Sequence, residues 1–203
     1  MMLTARGFGV PYNPSMTLFQ DRYRVESARL VDWDYSSRGW YFVTLCTRNK
    51  ECSLAHSVNG EIVLSDAGVI AEIEMKAISI HYSNVIIDRY VVMPNHVHTI
   101  VVIDGRHLHS PGHGVFPPTQ THHPSISAVI GGYKAGVTRR CHSQGIQDFW
   151  WQSRFHDRIL RSNVSVNAVR DYIDRNPQNW LEDPNNPSTA ARGDGASPVS
   201  TRG

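Results

Sequence analysis

The sequence predicts an α+β protein with a ferredoxin-like antiparallel sheet, helices on one face of that sheet and an additional C-terminal helix. Two observations carry this prediction. The chain has 203 residues, enough for one sizeable domain with a core of its own. Its segments follow the order strand, helix, strand, strand, helix, strand, helix. That order is the split β-α-β arrangement of the ferredoxin-like fold with one helix added.

Four segments are rich in aromatic and β-branched residues, as is typical of strands. They cover residues 40–47, 86–93, 96–103 and 149–160. We expect the fourth of them to be bulged or broken near Ser153. A separate small hairpin is predicted over residues 57–64, because Asn59-Gly60 is the strongest two-residue hairpin signal.

The first predicted helix begins at Ser65 or Asp66, which are both good N-cap residues, and runs to about Tyr82. Apolar residues recur along it at a spacing near 3.6, which indicates one buried face. We expect that face to contain Val69, Ile70, Ile73, Ala77, Ile78 and Ile80.

Two further helices follow the same logic. The second covers residues 125–140, and its apolar positions are three and four residues apart. The third begins at Ser162 or Asn163 and ends near Asn176, where Pro177 stops it.

The composition excludes several classes of protein. Apolar residues make up 40% of the chain and charged residues 19%, and no apolar run approaches the roughly 20 residues of a membrane helix. The N-terminus lacks the apolar core of a signal peptide. The three cysteines are odd in number and have no CxxC spacing, which argues against a disulfide framework or a zinc ribbon. We therefore expect a cytoplasmic protein.

The chain divides into three parts by composition. Residues 1–20 have no period and predict a loose N-terminal arm, residues 21–187 form the domain, and residues 188–203 predict a disordered tail. Residues 104–124 are rich in Gly, Pro and His and predict a surface loop. Its histidines could bind metal, but a mobile loop is a poor preorganised site; they are His107, His109, His113, His122 and His123.

The first candidate site is a pair of histidines, His96 and His98, at the head of the third strand. Residues i and i+2 of a strand point to the same face, so the two imidazoles would lie side by side while Val97 enters the core. Neutral imidazole is the commonest metal ligand among side chains. Taken alone, such a pair is more often two histidines on a solvated strand face than a metal site.

The second candidate site is on the final helix. Tyr172 and Asn176 are four residues apart, so a phenol and an amide project from one helix face. A helix packed on the sheet could bring Asn176 to the same ion as the two histidines, with Tyr172 beside it. Metal polarisation of a phosphodiester makes attack by a weak tyrosine nucleophile feasible. This ligand set suits Mn²⁺ or Mg²⁺, although Mg²⁺ usually takes a carboxylate as well.

Together these segments resemble a known family. The chain contains Met93-Pro-Asn-His-Val-His98, followed later by Asp171-Tyr-Ile-Asp-Arg-Asn-Pro177, and it also carries Trp151-Gln-Ser-Arg-Phe-His-Asp157. From about residue 22 to residue 187 it resembles the REP-associated tyrosine transposases, within the single-tyrosine HUH endonuclease superfamily. The resemblance implies a ferredoxin-like domain that needs a divalent cation and cleaves and rejoins single-stranded DNA.

The resemblance also implies a role for each matching residue. His96 and His98 match the metal ligands, Asn176 matches the third ligand position, and Tyr172 matches the nucleophile that forms a 5′-phosphotyrosine link and frees a 3′-hydroxyl. The implied substrate is single-stranded DNA next to an imperfect hairpin. The implied location is the nucleoid, and a monomer is favoured over a dimer. The loop at residues 104–124 looks expanded relative to the family.

Basic residues in the second half of the chain predict phosphate contacts. The candidates are Lys134, Arg139, Arg140, Arg154, Arg158 and Arg161. Trp150, Trp151 and Phe155 could stack on unpaired bases, but strand alternation requires some of them to enter the core.

Two other functions stay open from the sequence. A metallohydrolase could use the HxH pair to activate water, but such enzymes usually add a nearby Asp or His, and Thr99 and Ile100 follow here. A DNA-binding module without activity, such as a repressor or a domesticated element, would need no nucleophile.

Overall fold

The computed structural model describes residues 33–104 and 124–190, and in addition two short strands near the N-terminus. Its strands are β1 (Leu18–Phe19), β2 (Tyr23–Arg24), β3 (Gly39–Cys46), β4 (Ala55–Val58), β5 (Glu61–Leu64), β6 (Val85–Val92), β7 (His96–Ile103) and β8 (His156–Leu160). Its α-helices are α1 (Asp66–His81), α2 (Ile126–Ser143), α3 (Asn163–Arg175) and α4 (Pro187–Ala190), and 3-10 turns cover Arg48–Lys50 and Trp180–Glu182.

Several predicted segments lie outside the described residues. They include most of the arm at residues 1–20, the loop histidines between residues 105 and 123, and the tail after residue 190. At the end of the arm, β1 pairs in antiparallel fashion with β2 of the following segment, and at the start of the predicted tail residues 188–190 belong to α4. Within the described parts of the chain, no helix is long and apolar enough to cross a membrane.

The main sheet has four antiparallel strands in the order β6-β7-β3-β8. Together with the chain order, this is the ferredoxin-like topology, so the predicted fold class is confirmed. The central pair is β3 and β7, in a register that sets Cys46 opposite His96 and Thr44 opposite His98. The histidine pair therefore begins a central strand, as expected.

Local signals explain where the elements begin and turn. Ser65, Ser125 and Ser162 are the N-caps of α1, α2 and α3, and each side-chain oxygen accepts a backbone N–H of the first turn. Asn59 and Gly60 form the turn between β4 and β5 with φ of 52° and 85°. These values are the left-handed conformations that an Asn-Gly hairpin turn requires, so the predicted hairpin is confirmed.

Helices α1 and α2 pack on one face of the sheet and enclose the larger core. The apolar positions predicted for α2 are all buried there, namely Ile126, Val129, Ile130, Tyr133 and Val137. The stripe predicted for α1 is wrong at Val69, Ile73 and Ile80, which are exposed. The buried side of α1 is instead made of Ala67, Gly68, Ile70, Ala71, Met75 and Ile78.

Close packing gives the reason for that difference. A Cβ on Gly68 would lie 2.0 Å from the Leu54 carbonyl oxygen, so the helix approaches the preceding loop on its small residues. That approach turns Val69, Ile73 and Ile80 toward solvent. Only Ile70 and Ile78 of the stripe are fully buried.

Helix α3 packs on the opposite face of the sheet. It forms a smaller core with the strands, consisting of Ile100, Leu160, Val166, Val169 and Ile173. The C-terminal helix is therefore separated by the sheet from α1 and α2. This placement carries the end of α3 to the start of β7.

The predicted fourth strand is shorter than expected. Only His156–Leu160 pairs with β3, and the earlier part touches the sheet through a single bridge between Thr47 and Trp151. Trp151 instead turns into the α1–α2 core, where it packs edge-on against Phe149 with ring centroids 5.1 Å apart. The Lys134 ammonium group donates to the carbonyls of Gln152 and Ser153. These two carbonyls therefore have a hydrogen-bond donor without pairing with a neighbouring strand.

Candidate functional site

The start of β7 and the end of α3 meet on one face of the sheet. The rings of His96 and His98 lie side by side with centroids 4.5 Å apart, and both side chains are buried. The Tyr172 hydroxyl oxygen is 3.1 Å from His98 Nε2. Tyr172 is 44% exposed, so this residue lies between the buried imidazoles and solvent.

Asn95 fixes the protonation of His96. The Asn95 amide nitrogen donates to the backbone carbonyls of Lys50 and Asn185, at 3.0 and 2.7 Å, which assigns the other amide atom as oxygen. That oxygen is 2.9 Å from His96 Nδ1, and because it can only accept, Nδ1 must carry the proton. The lone pair of His96 is therefore on Nε2, which is buried and has no hydrogen-bond partner.

His98 is held by two hydroxyl groups. Its Nδ1 is 2.9 Å from Thr44 Oγ1, and its Nε2 contacts the Tyr172 hydroxyl. A hydroxyl can donate or accept, so both contacts are compatible with a proton on Nδ1 and a lone pair on Nε2. In this tautomer both histidines carry their lone pair on Nε2 and bond through Nδ1, as metal-ligating histidines do, and His98 Nε2 accepts from the Tyr172 hydroxyl.

Asp183 joins the two histidines, and the sequence analysis did not identify it. Its carboxylate is 4.0 Å from His96 Nε2, and one ligand atom from each of His96, His98 and Asp183 lies within 4.8 Å of the others. The backbone N–H of Asn185 holds the other carboxylate oxygen at 2.6 Å. The preference of Mg²⁺ for a carboxylate was the one signal that could have prompted a search for it.

Asn176 lies at the same point. Its amide nitrogen donates to the Asp183 carboxylate at 3.3 Å, which leaves the amide oxygen buried and without a partner. A carboxylate cannot donate, so this orientation of the amide is the bonded one. Two buried acceptors, His96 Nε2 and Asn176 Oδ1, thus have no donor, and both residues neighbour the Asp183 carboxylate. Such a donor set fits a divalent cation, and the His96–His98–Asp183 group can hold a metal ion.

Burial sets the electrostatics of the site. It lowers the pKa of His96 to about 4, and the Lys50 charge acts in the same direction. Burial and the neighbouring His96 lower the pKa of His98 to about 3. Both imidazoles are therefore neutral at pH 7, as metal ligands must be. Burial and the Asp183 charge raise the pKa of Tyr172, so its hydroxyl is protonated at neutral pH.

The predicted phosphate contacts are not gathered at the site. Lys134 is bonded to backbone carbonyls, and Arg139 and Arg140 lie on α2, on the far side of the sheet. Arg140 is paired with Glu74 at 2.8 Å. Arg154 is exposed before β8, and Arg161 lies 6.0 Å from the ring centroid of Trp33. Of the six, Arg158 is linked to the site, because it lies over the ring of Phe42 beside Tyr172.

The three candidate aromatic residues divide between core and surface. Trp151 is buried, and Phe155 is partly buried against the same core. Trp150 is 43% exposed and packs against His142 and Arg48. Trp150 is thus the one of the three that keeps a ring accessible to a base.

Comparison with known proteins gives a family and a fold. No family model matches the chain. A curated but uncharacterized protein of Haemophilus influenzae is 32% identical over 162 residues, which cover 77% of this chain and 90% of that protein. This degree of identity over most of both chains establishes common family membership.

Solved structures agree with the fold. A REP-associated tyrosine transposase bound to a REP hairpin superposes with a TM-score of 0.50 and 20% identity, over 73% of this chain and 72% of that one. A structure from Deinococcus radiodurans has a lower TM-score of 0.40 and 13% identity, over 72% of this chain and 95% of that one. The fold agrees with the resemblance found in the sequence. The chain belongs to the family of the Haemophilus influenzae protein and has the fold of a REP-associated tyrosine transposase.

Proposed function

We propose that this protein is a metal-dependent transposase or endonuclease that cleaves and rejoins single-stranded, hairpin-associated DNA through a 5′-phosphotyrosine intermediate. One observation carries the proposal. The Tyr172 hydroxyl lies against His98 at the edge of a buried set of cation ligands, within which His96 Nε2 and Asn176 Oδ1 have no other partner. A nucleophile beside a cation site is an arrangement that supports metal-assisted phosphoryl transfer to a protein side chain.

The cleavage step is an exchange of one phosphate ester for another. The Tyr172 oxygen attacks phosphorus, and the bond from phosphorus to the 3′-oxygen breaks. The phenolic proton passes to water, and the leaving oxygen takes a proton to become a 3′-hydroxyl. A second 3′-hydroxyl attacking the phosphotyrosine reverses these changes and joins a new strand. Each step breaks one phosphate ester bond and forms another. The reaction therefore needs no nucleotide cofactor.

The residues around Tyr172 have separate tasks in this scheme. His96, His98, Asn176 and Asp183 would hold Mg²⁺ or Mn²⁺, which supplies charge stabilisation at the non-bridging phosphate oxygens. Helix α3 orients Tyr172 and Asn176 together, since they lie one turn apart on the same face. The exposed side of Tyr172 admits the DNA phosphate.

The proposed partner is a DNA hairpin with an adjacent single strand, bound at the nucleoid by the domain at residues 21–187, most simply as a monomer. The structural neighbour is described as bound to a REP hairpin, which supports this substrate class. Arg158 is the phosphate contact that the site geometry favours. Contacts by Lys134, Arg139, Arg140, Arg154 and Arg161 stay predictions.

A covalent adduct assay tests the proposal. The full chain is incubated with Mn²⁺ or Mg²⁺ and a hairpin oligonucleotide labelled at its 3′ end, and the products are resolved under denaturing conditions. We expect a labelled protein–DNA adduct that disappears with EDTA or in Tyr172→Phe. A label at the 5′ end should instead appear on a shorter, free strand. An adduct that survives in Tyr172→Phe would assign the nucleophile to another residue.

A hydrolase that activates water is the second candidate. The sequence argued against it because no acid follows the histidine pair, but Asp183 supplies a carboxylate at the same point. The same assay separates the two functions. Hydrolysis would release a free 5′-phosphate end, form no protein-linked product, and continue in Tyr172→Phe. Binding without any cleavage in either metal would indicate an inactive DNA-binding module.

A further inference from the structure

Helix α3 contacts β6, β7 and β8, and the core beneath it includes Ile100 and Leu160. Beside Tyr172, the side chains of His156 and Arg158 on β8 are nonetheless exposed. Strand register fixes what lies there, because Phe42 pairs with Arg158, and Thr44 pairs with both His98 and His156. Paired residues share a face, so all of these side chains are on the side of the catalytic tyrosine.

Phe42 connects this open surface to the site. Its ring is perpendicular to the Tyr172 ring with centroids 6.1 Å apart, and it lies 5.3 Å from the His98 ring. The guanidinium of Arg158 is 5.9 Å from the centre of the Phe42 ring. Phe42 is half-buried, while Arg158 and His156 are exposed. Phe42, Arg158 and His156 therefore form an aromatic and polar surface next to Tyr172.

Arg158 also differs from other arginines on the same side of the sheet. Arg170 pairs with Asp88, and Arg89 lies 3.6 Å from Asp174. Among the described residues, no carboxylate forms an ion pair with Arg158. Its charge is thus available for an anion from outside the protein, and a planar guanidinium suits a phosphate.

We propose that Phe42, Arg158 and His156 form the binding surface for the single strand next to the scissile phosphate. A base lies against Phe42, a neighbouring phosphate is bound by Arg158, and His156 donates a hydrogen bond to the same strand. Base–aromatic stacking tolerates any sequence, whereas phosphate contacts fix the position of the backbone. The surface would hold the strand so that its phosphate meets Tyr172. This inference rests on the proposed function.

Binding without cleavage gives a clean test. In a Tyr172→Phe background, fluorescence anisotropy measures the affinity for a short labelled single strand over a range of salt concentrations. We expect Arg158→Ala to weaken binding about 5- to 20-fold and to reduce the slope of log K against log salt by about 0.7, the value for one lost contact to a single strand. Arg158→Lys should restore most of the salt slope.

Phe42 is tested by a change that preserves its apolar bulk. Phe42→Leu should weaken binding about fivefold or more through loss of stacking, with the same salt slope. His156→Ala should have a smaller effect, of about twofold. Lys76→Ala removes a positive charge from α1, on the other side of the sheet, and should leave binding within about twofold of the parent. Calorimetric Mn²⁺ affinity should be unchanged in every variant, which separates a substrate surface from damage to the ligand set.

The outcomes distinguish this inference from the proposed function. If the unaltered chain forms the adduct but Phe42→Leu and Arg158→Ala bind and react as it does, the strand lies elsewhere and the inference is wrong. An equal loss in Lys76→Ala would also overturn it, because binding would then follow total charge. If the unaltered chain binds DNA without forming any adduct, the proposed function fails while the binding surface can still be measured.

Discussion

Alternate residues of the same two central strands build two very different faces. Toward α1 and α2, Tyr41, Val43 and Leu45 of β3 are fully buried in a large apolar core, together with Val97 and Val101 of β7. Toward α3, the neighbouring positions are polar or partly exposed. They are Phe42, Thr44, His96 and His98. The period of two thus lets one face stabilise the sheet while the other carries the candidate site.

On the sheet face toward α3, polar interactions as well as apolar packing hold the helix. Its apolar cluster has five buried residues within the described part of the chain, and α3 is also tied to the edge strand by charge. The Arg170 guanidinium makes two hydrogen bonds to the Asp88 carboxylate, at 2.7 and 2.6 Å, and lies 5.3 Å from the ring centroid of Trp40. The β6 register shifts between Ile87 and Arg89, so Asp88 is in a bulge, the usual device for redirecting a side chain.

The largest expected effect is the loss of a ligand from the polar face. His96→Ala removes a neutral, buried nitrogen that has no structural hydrogen bond at Nε2. We expect adduct formation to fall about a thousandfold, since a lost cation costs several kcal/mol of transition-state stabilisation. The thermal unfolding midpoint without metal should fall too, because the change opens a cavity and leaves Asn95 Oδ1 without its donor, but the chain should stay folded at low temperature. A loss of activity accompanied by global unfolding would contradict this division between the faces.

The matched change on the apolar face should lower the stability of the protein and leave its activity nearly unchanged. Ile130→Ala in α2 removes a fully buried side chain and should lower the free energy of unfolding by about 2–5 kcal/mol. Urea denaturation measures that loss. At low temperature, the adduct rate per folded molecule should stay within about twofold of the unaltered chain. A specific loss of Mn²⁺ affinity in this variant would mean that the two faces are coupled.

The Asn95 amide tests how the polar face is organised. It holds His96 in the tautomer that leaves Nε2 free, so Asn95→Ala should weaken Mn²⁺ binding about 10- to 100-fold, the range typical of such supporting residues. Isothermal titration calorimetry measures this affinity. Asn95→Asp, which still accepts from Nδ1, should restore part of it. Equal losses in both variants would indicate a role in the loop rather than in the tautomer.

The sequence predicted the parts of this site that depend on local pattern. The two histidines follow from strand alternation, and Tyr172 and Asn176 follow from helix spacing. Asp183 was missed because it lies in an irregular segment, where no period indicates which way a side chain points. Asn95 was not identified as a supporting residue, because its bonds to Lys50 and Asn185 join residues 45 and 90 positions away. The buried face predicted for α1 was partly wrong for a related reason, since contact with Leu54 decided which side of the helix was buried.

The smallest expected effect concerns the ion pair that ties α3 to the sheet. Asp88→Asn weakens the contact to Arg170 without removing volume, and it lies outside the ligand set. Because Tyr172 is on the same helix, a small shift should slow adduct formation about three- to tenfold. Glu74→Gln is the matched control, since it weakens a similar pair with Arg140 on the other face of the sheet. Single-turnover rates at saturating DNA should fall in the first variant and stay unchanged in the second, with the same Mn²⁺ affinity in both. Equal rates in the two variants would mean that the apolar contacts of Val169 and Ile173 suffice to place the tyrosine.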